Sequence, residues 1–170
     1  YNYKELRSEL QSKGYRFFSN GDTEVILKAY HAWGIEFVKR LNGMFAFAIY
    51  ERDSGRLIVG RDRVGIKPFY FSQTDGEFRF ASSLPALLKS GGIDTSIDPV
   101  ALNYYLSFHA VVPAPYTIIK DVRKLPPATV AVIEPDGKRT EHNYWSLDYG
   151  TPAEREGWSE NDWKAATLDV

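Results

Sequence analysis

Cysteine is absent from these 170 residues, and methionine occurs once, at Met44. Without a thiol, the chain itself supplies no disulfide, no thiolate metal site and no cysteine nucleophile. Long apolar runs are missing too, so no segment is expected to span a bilayer. The first residues are polar and charged, without the apolar stretch of a secretory signal. Charge of one sign does not accumulate: 21 Lys and Arg face 22 Asp and Glu, for a net charge of −1. That balance lacks the electrostatic footprint of a general nucleic-acid or membrane-surface binder, so neither partner is expected. His31, His109 and His142 lie far apart, in no metal-ligand spacing, and no metal site is expected. No repeat and no low-complexity tract breaks the chain. A cytoplasmic location fits these absences.

What is present can build a core. Hydrophobic residues make up 44% and aromatics 15%, enough for one domain without covalent staples. Leu6 and Leu10 predict a helix over residues 3–13, stopped by Gly14. Residues 15–18 read as a short strand. Residues 19–22 read as a turn and helix start, followed by Val25, Ile26, Ala29, Tyr30 and Trp33 at helical spacing and by Gly34 at the end. A short helix follows over 35–41. The uncharged run from Met44 to Tyr50 reads as a strand buried on both faces. A turn at 53–55 and a strand at 57–59 come next, then a hairpin of 69–71 and 78–80 around a 74–76 turn. Helices are expected at 84–89 and 99–106, a rigid Pro113-Ala-Pro115 loop after them, and a late hairpin of 129–133 with 139–145. Residues 150–157 read as a linker and 158–168 as a helix. The class is α+β with mostly antiparallel sheet.

Few side chains stand out as chemistry. Asp22, at a helix start, is either a cap or a carboxylate facing a cleft. Glu24 is expected to face solvent or to steady the first helical turn. Arg61 and Asp62, between two apolar strands, read as a fixed structural ion pair. The Ser90-Gly-Gly-Ile-Asp-Thr-Ser96 run has the form of a phosphate loop. Such a loop needs a buried strand before it and a helix opening from it. Here a helix precedes it, and a helix end followed by a loop accounts for the glycines. No Ser–His–Asp arrangement can be assembled.

Three stretches carry a resemblance: Asp22-Thr-Glu-Val-Ile26, Arg40-Leu-Asn-Gly-Met-Phe-Ala-Phe-Ala-Ile-Tyr50 and Gly60-Arg-Asp-Arg-Val-Gly-Ile-Lys-Pro-Phe-Tyr70. Together they resemble the glutaminase domain of class II, N-terminal nucleophile amidotransferases. Residues 98–106, 113–115 and 119–127 resemble the asparagine synthetase branch more narrowly. The resemblance implies an Ntn-hydrolase type αββα sandwich of antiparallel sheets over residues 1–149, with a connector from about Asp98. Residues 150–170 would then be a linker and the start of a synthetase domain.

Residue by residue, the resemblance gives Asp22 the α-amino group of glutamine and Gly21 a backbone contact. It sets the Arg61–Asp62 pair near the site. It departs at Ser83, where the family usually carries an acidic residue. The family's nucleophile is an N-terminal cysteine, which has no counterpart here. The resemblance therefore implies a fragment, with the catalytic residue upstream and none in this chain, inactive alone and without a cofactor of its own. In the parent enzyme, a cysteine thiolate would attack the glutamine side-chain amide, with an oxyanion hole holding the tetrahedral intermediate. The ammonia would pass to a synthetase domain that holds ATP and Mg²⁺ and converts aspartate to asparagine. A homodimer is expected. The alternative is a nucleophile-less scaffold domain, as in the β-lactam synthetases.

Overall fold

Leu6 and Leu10, one helical turn apart, form the buried face of α1 (Tyr3–Ser12). In the computed structural model, which describes residues 1–74, 76–150 and 153–168, α1 packs against α2 (Asp22–Trp33) through Val25 and Ala29. A 3₁₀ turn at Gly34–Arg40 adds Phe37 and Val38 to the same cluster. The strands β1 (Ala46–Tyr50) and β2 (Leu57–Arg61), and β3 (Tyr70–Thr74) and β4 (Glu77–Ala81), form two hairpins. Helices α3 (Leu84–Leu88) and α4 (Pro99–Ser107) follow, then β5 (Arg123–Lys124), β6 (Thr129–Ile133), β7 (Arg139–Asn143) and a last helix, α5 (Glu160–Leu168). Among the described residues no helix is long and apolar enough to cross a membrane.

Every named strand pair is antiparallel. One sheet runs β1-β2-β6-β7 and the other β4-β3-β5. Because strand side chains alternate, each sheet offers two faces. Phe47, Ile49, Ile58, Val130 and Val132 turn one face of the first sheet onto α1, α2 and the 3₁₀ turn. Val59, Ala131 and Ile133 turn the opposite face onto Phe69, Phe71 and Leu125 of the second sheet side. Helix α3 packs on the far side, against β3 and β4. The result is the four-layer αββα order of an Ntn-hydrolase type sandwich.

Two expectations are corrected. β1 is buried on one face only: Phe47 and Ile49 are covered, while Ala46, Ala48 and Tyr50 are exposed. It lies at the edge of its sheet, and its second face opens on a shallow cavity bounded by Phe69 and Phe80. The strands buried on both faces are the inner pair, β2 and β6; β6 sits between β2 and β7, and both strands feed both cores. Residues 15–18 form no strand, because no partner strand lies beside them. Tyr15 N–H instead donates to Leu10 O, and the Phe18 and Ser19 N–H groups are taken by Glu24.

Most other expected elements fall where the pattern puts them, while β5 and a 3₁₀ turn at Ala153–Arg155, inside the expected linker, have no counterpart in the sequence reading. Leu84–Leu88 is helical, and the 90–96 run that follows is loop, with Gly91 and Gly92 at positive φ. Pro99 opens α4, and the Asp98 carboxylate caps it by accepting from Val100 and Ala101 N–H. Asp75 in the expected 74–76 turn, Thr151 and Pro152 in the expected linker, and Asp169 and Val170 at the end of the expected synthetase-domain start lie outside the described residues.

Gly60 of β2 stands directly opposite Phe47 of β1. A Cβ there would lie 2.4 Å from the Phe47 ring. Gly60→Ala should therefore push this ring out of the first core and cost about 1–3 kcal/mol. Chemical denaturation of the domain checks this, and Gly60→Ala in a Phe47→Leu background should cost less.

Candidate functional site

A small cavity opens where the start of α2 meets the segment leading into β1. Its volume is about 70 Å³, and Asp22, Val25, Asn42, Gly43 and Phe45 line it together with Tyr1 and Asn2. Two long-range clamps build its wall. The Asn2 side chain donates to Arg40 O at 2.9 Å and accepts from Asn42 N–H at 2.9 Å. The Tyr1 nitrogen donates to Asn42 O at 2.7 Å. Gly43 makes this approach possible: its φ is +138°, and a Cβ would lie 2.7 Å from the Tyr1 nitrogen.

Asp22 is the first residue of α2, and its exposed side chain lines the cavity. Gly21 precedes it as the N-cap, with extended backbone. Among the described residues no hydrogen bond or ion pair engages the Asp22 carboxylate, so it does not cap its own helix. A negative group at this end is favoured by the helix dipole and is left facing outward.

Glu24 lies in the first turn of the helix, and of its two expected roles the solvent-facing one is corrected. Only 6% of its surface is exposed. Its carboxylate accepts from Phe18 N–H at 3.2 Å, Ser19 N–H at 2.8 Å and the Ser19 hydroxyl at 2.7 Å, and pairs with Lys28 at 3.4 Å. Burial alone would raise its pKa, but the Ser19, Phe18 and Lys28 donors outweigh that and hold it at about 2, below the ordinary 4.5. The unfolded chain thus binds the proton first. Stability from this group is complete above about pH 4.5 and falls as the pH drops toward about 2. Thermal melts across that window should show the loss in the wild-type domain and a flatter profile in Glu24→Gln.

Arg61 and Asp62 are both buried, and the expected ion pair between them is corrected as well. Each is satisfied by backbone instead. The Arg61 guanidinium donates to Gly65 O and Leu125 O, each at 2.6 Å, and to Lys67 O at 2.8 Å. Asp62 accepts from Ile66 and Lys67 N–H at 2.9 Å and from Phe45 N–H at 3.3 Å. Both side chains reach the same 65–67 stretch; three carbonyls in all surround the guanidinium and three amides the carboxylate. Burial lowers the Arg61 pKa, and the Asp62 charge opposes that. Through Phe45, Asp62 also fixes one wall of the cavity.

The structure therefore brings Asp22 to the cavity, with Gly21 next to it as the N-cap and not among the lining residues, and places Asp62 behind its wall. Sequence reasoning missed that Asn42 and Gly43 line the cavity. It also missed Asn2. No local pattern could reveal that contact, since Asn2 lies 40 residues from its Asn42 partner. The depth of Glu24 did have a signal: a Glu at the third position of a helix commonly reaches back past its start.

Residues 1–145 match the family model described as a glutamine amidotransferase domain. Asparagine synthetase [glutamine-hydrolyzing] 1 of Bacillus subtilis (strain 168) is 40% identical over 149 residues, which are 88% of this chain and 23% of that protein. Asparagine synthetase [glutamine-hydrolyzing] 3 of the same organism is 32% identical over 148 residues, 87% of this chain and 24% of that protein. The chain thus spans only these minor shares of the curated relatives it matches. A solved structure, the glutamine phosphoribosylpyrophosphate amidotransferase from B. subtilis complexed with ADP and GMP, superposes with a TM-score of 0.57 at 18% identity. It covers 86% of this chain and 27% of that one, and it carries the fold. The family match runs through α1, α2, the cavity and both sheets alike, and on that ground the chain belongs to the glutamine amidotransferase domain family.

Proposed function

We propose that this chain is the glutamine-recognising part of an asparagine synthetase-like enzyme, with Asp22 receiving the substrate's α-ammonium group. The observation that carries the reading is an unengaged carboxylate at the mouth of a cavity, on a helix whose own geometry does not use it. An acceptor-only group suits an ammonium, and the Gly21 backbone stands beside it as the contact the resemblance implies. At about 70 Å³ the cavity is far smaller than an ordinary ligand pocket. It takes one end of the glutamine, and the scissile amide extends beyond these residues. The names of the relatives favour this reading over a scaffold without activity, since each is described as glutamine-hydrolysing.

Within the reading, residues from about Asp98 are the connector, and those from 150 lead toward the synthetase domain. The thiolate that attacks the amide comes from outside these residues, which contain no cysteine. ATP and Mg²⁺ belong to the synthetase domain, as do aspartate and the amide-forming step. The 90–96 loop does not fit a triphosphate: helix α3 precedes it, and the next helix opens only at Pro99. The full enzyme acts as a homodimer.

The test pairs two polypeptides. The full-length enzyme should release glutamate from glutamine and form asparagine from aspartate and ATP. The 170-residue polypeptide should release no glutamate above a matched blank. Glutamate release from the short polypeptide that disappears in Asp22→Ala would overturn the assignment of the nucleophile to another segment.

A further inference from the structure

Glu24 reaches further than its helix requires. A Glu at the third helical position ordinarily accepts from the N-cap N–H and closes a capping box. This one passes the N-cap, Gly21, and takes Phe18 N–H, Ser19 N–H and the Ser19 hydroxyl, all in the loop before the helix. The Ser19 oxygen then accepts from Gly21 N–H at 3.4 Å. A continuous polar chain thus runs from inside α2, through Ser19, to the residue that precedes Asp22. Lys28, one turn further along, balances the buried charge from the helix side at 3.4 Å.

The loop has little else to hold it. Phe18 is 92% exposed, and Asn20, Gly21 and Asp22 are exposed as well. Packing cannot set the direction of so open a segment, and among the described residues Asp22 has no intramolecular partner to orient it. A buried carboxylate with several donors is a rigid anchor, because releasing any one donor leaves the rest of the network short of a partner.

We propose that Glu24 is a positioning residue for substrate recognition: by tying the 18–21 loop to the first turn of α2, it holds Gly21 and, next to it, the Asp22 carboxylate that lines the cavity. The inference rests on the reading of Asp22 as the ammonium contact. Glu24 touches no substrate. It acts through Ser19 and Gly21, so its effect depends on Asp22 being present.

The test uses the full-length enzyme with glutamine, and with ammonia as the alternative nitrogen source. Glu24→Gln keeps the size of the side chain but sets an amide N–H₂ against donors. It should raise the glutamine KM by about tenfold while kcat stays within about twofold. Ser19→Ala removes one link and should raise the KM by a smaller factor. The Asp22→Ala/Glu24→Gln double variant should bind glutamine no worse than Asp22→Ala alone, because the anchor then has nothing to position. A role in folding alone would instead give additive losses and a parallel loss of ammonia-driven turnover, and either result would overturn the proposal. If Asp22→Ala raises the KM and Glu24→Gln does not, the positioning role fails and the Asp22 reading stands. If Asp22→Ala leaves the KM unchanged, both fall.

Discussion

In the full-length enzyme, Asp22→Ala should raise the KM for glutamine by about ten- to a hundredfold, with kcat on glutamine changed little. The size follows from removing one charge-assisted hydrogen bond, worth about 1.5–3 kcal/mol. The direction follows from where the contact lies. The α-ammonium group is remote from the amide that reacts, so its partner is equally useful in the ground state and the transition state, and its loss is uniform. Ammonia-driven synthesis should persist, since it bypasses glutamine recognition. Steady-state kinetics with the two nitrogen sources separate the effects. The Asp22 side chain is exposed and engages no other described group, so the variant should melt close to the wild type. An unchanged glutamine KM would return Asp22 to a residue that merely suits a helix start.

The second large effect is on stability. Asp62 is 1% exposed and serves three backbone donors, from Phe45, Ile66 and Lys67. Asp62→Ala leaves all three without their acceptor. Each orphaned donor costs about 1–3 kcal/mol, so the three together cost about 3–9 kcal/mol. For a domain of this size that lowers the Tm by about 10 °C or more. Asp62→Asn should be milder, because its carbonyl oxygen can still accept while its amide nitrogen cannot. A Tm within about 2 °C of wild type for Asp62→Ala would show that water replaces the lost acceptor. The loss should also disturb the cavity, since Phe45 is one of its walls.

The two predictions draw on one arrangement. A polar loop between β2 and β3 is stiffened by a buried Arg and a buried Asp, each facing main-chain groups rather than each other. Backbone partners fix a loop's path more closely than a side-chain pair would, because they constrain where carbonyls and amides can lie. On the other side of the cavity, Glu24 does the same for the loop before α2. Exposed recognition groups are thus carried on segments anchored by buried charge.

The sequence by itself determined the local elements and the family. Helical spacing at Leu6 and Leu10, and from Val25 to Trp33, gave α1 and α2, because a 3.6-residue period is written in the chain. The hairpins, the start of α4 at Pro99 and the loop character of 90–96 were legible for the same reason: each depends on neighbours within a few residues. So was Asp22 as a candidate, through the Asp-Thr-Glu-Val-Ile run. Tertiary structure alone decided the rest. Whether β1 or β6 is covered on both faces depends on strand order, and apolar runs of similar length do not record which strand lies at an edge. Arg61 and Asp62 looked like a pair because opposite charges stood side by side. The fold instead surrounds each with main-chain groups from residues as distant as Leu125. The cavity exists only because Tyr1 and Asn2 close onto Asn42 and Gly43, and contacts between segments 40 residues apart leave no period or motif in the chain that makes them.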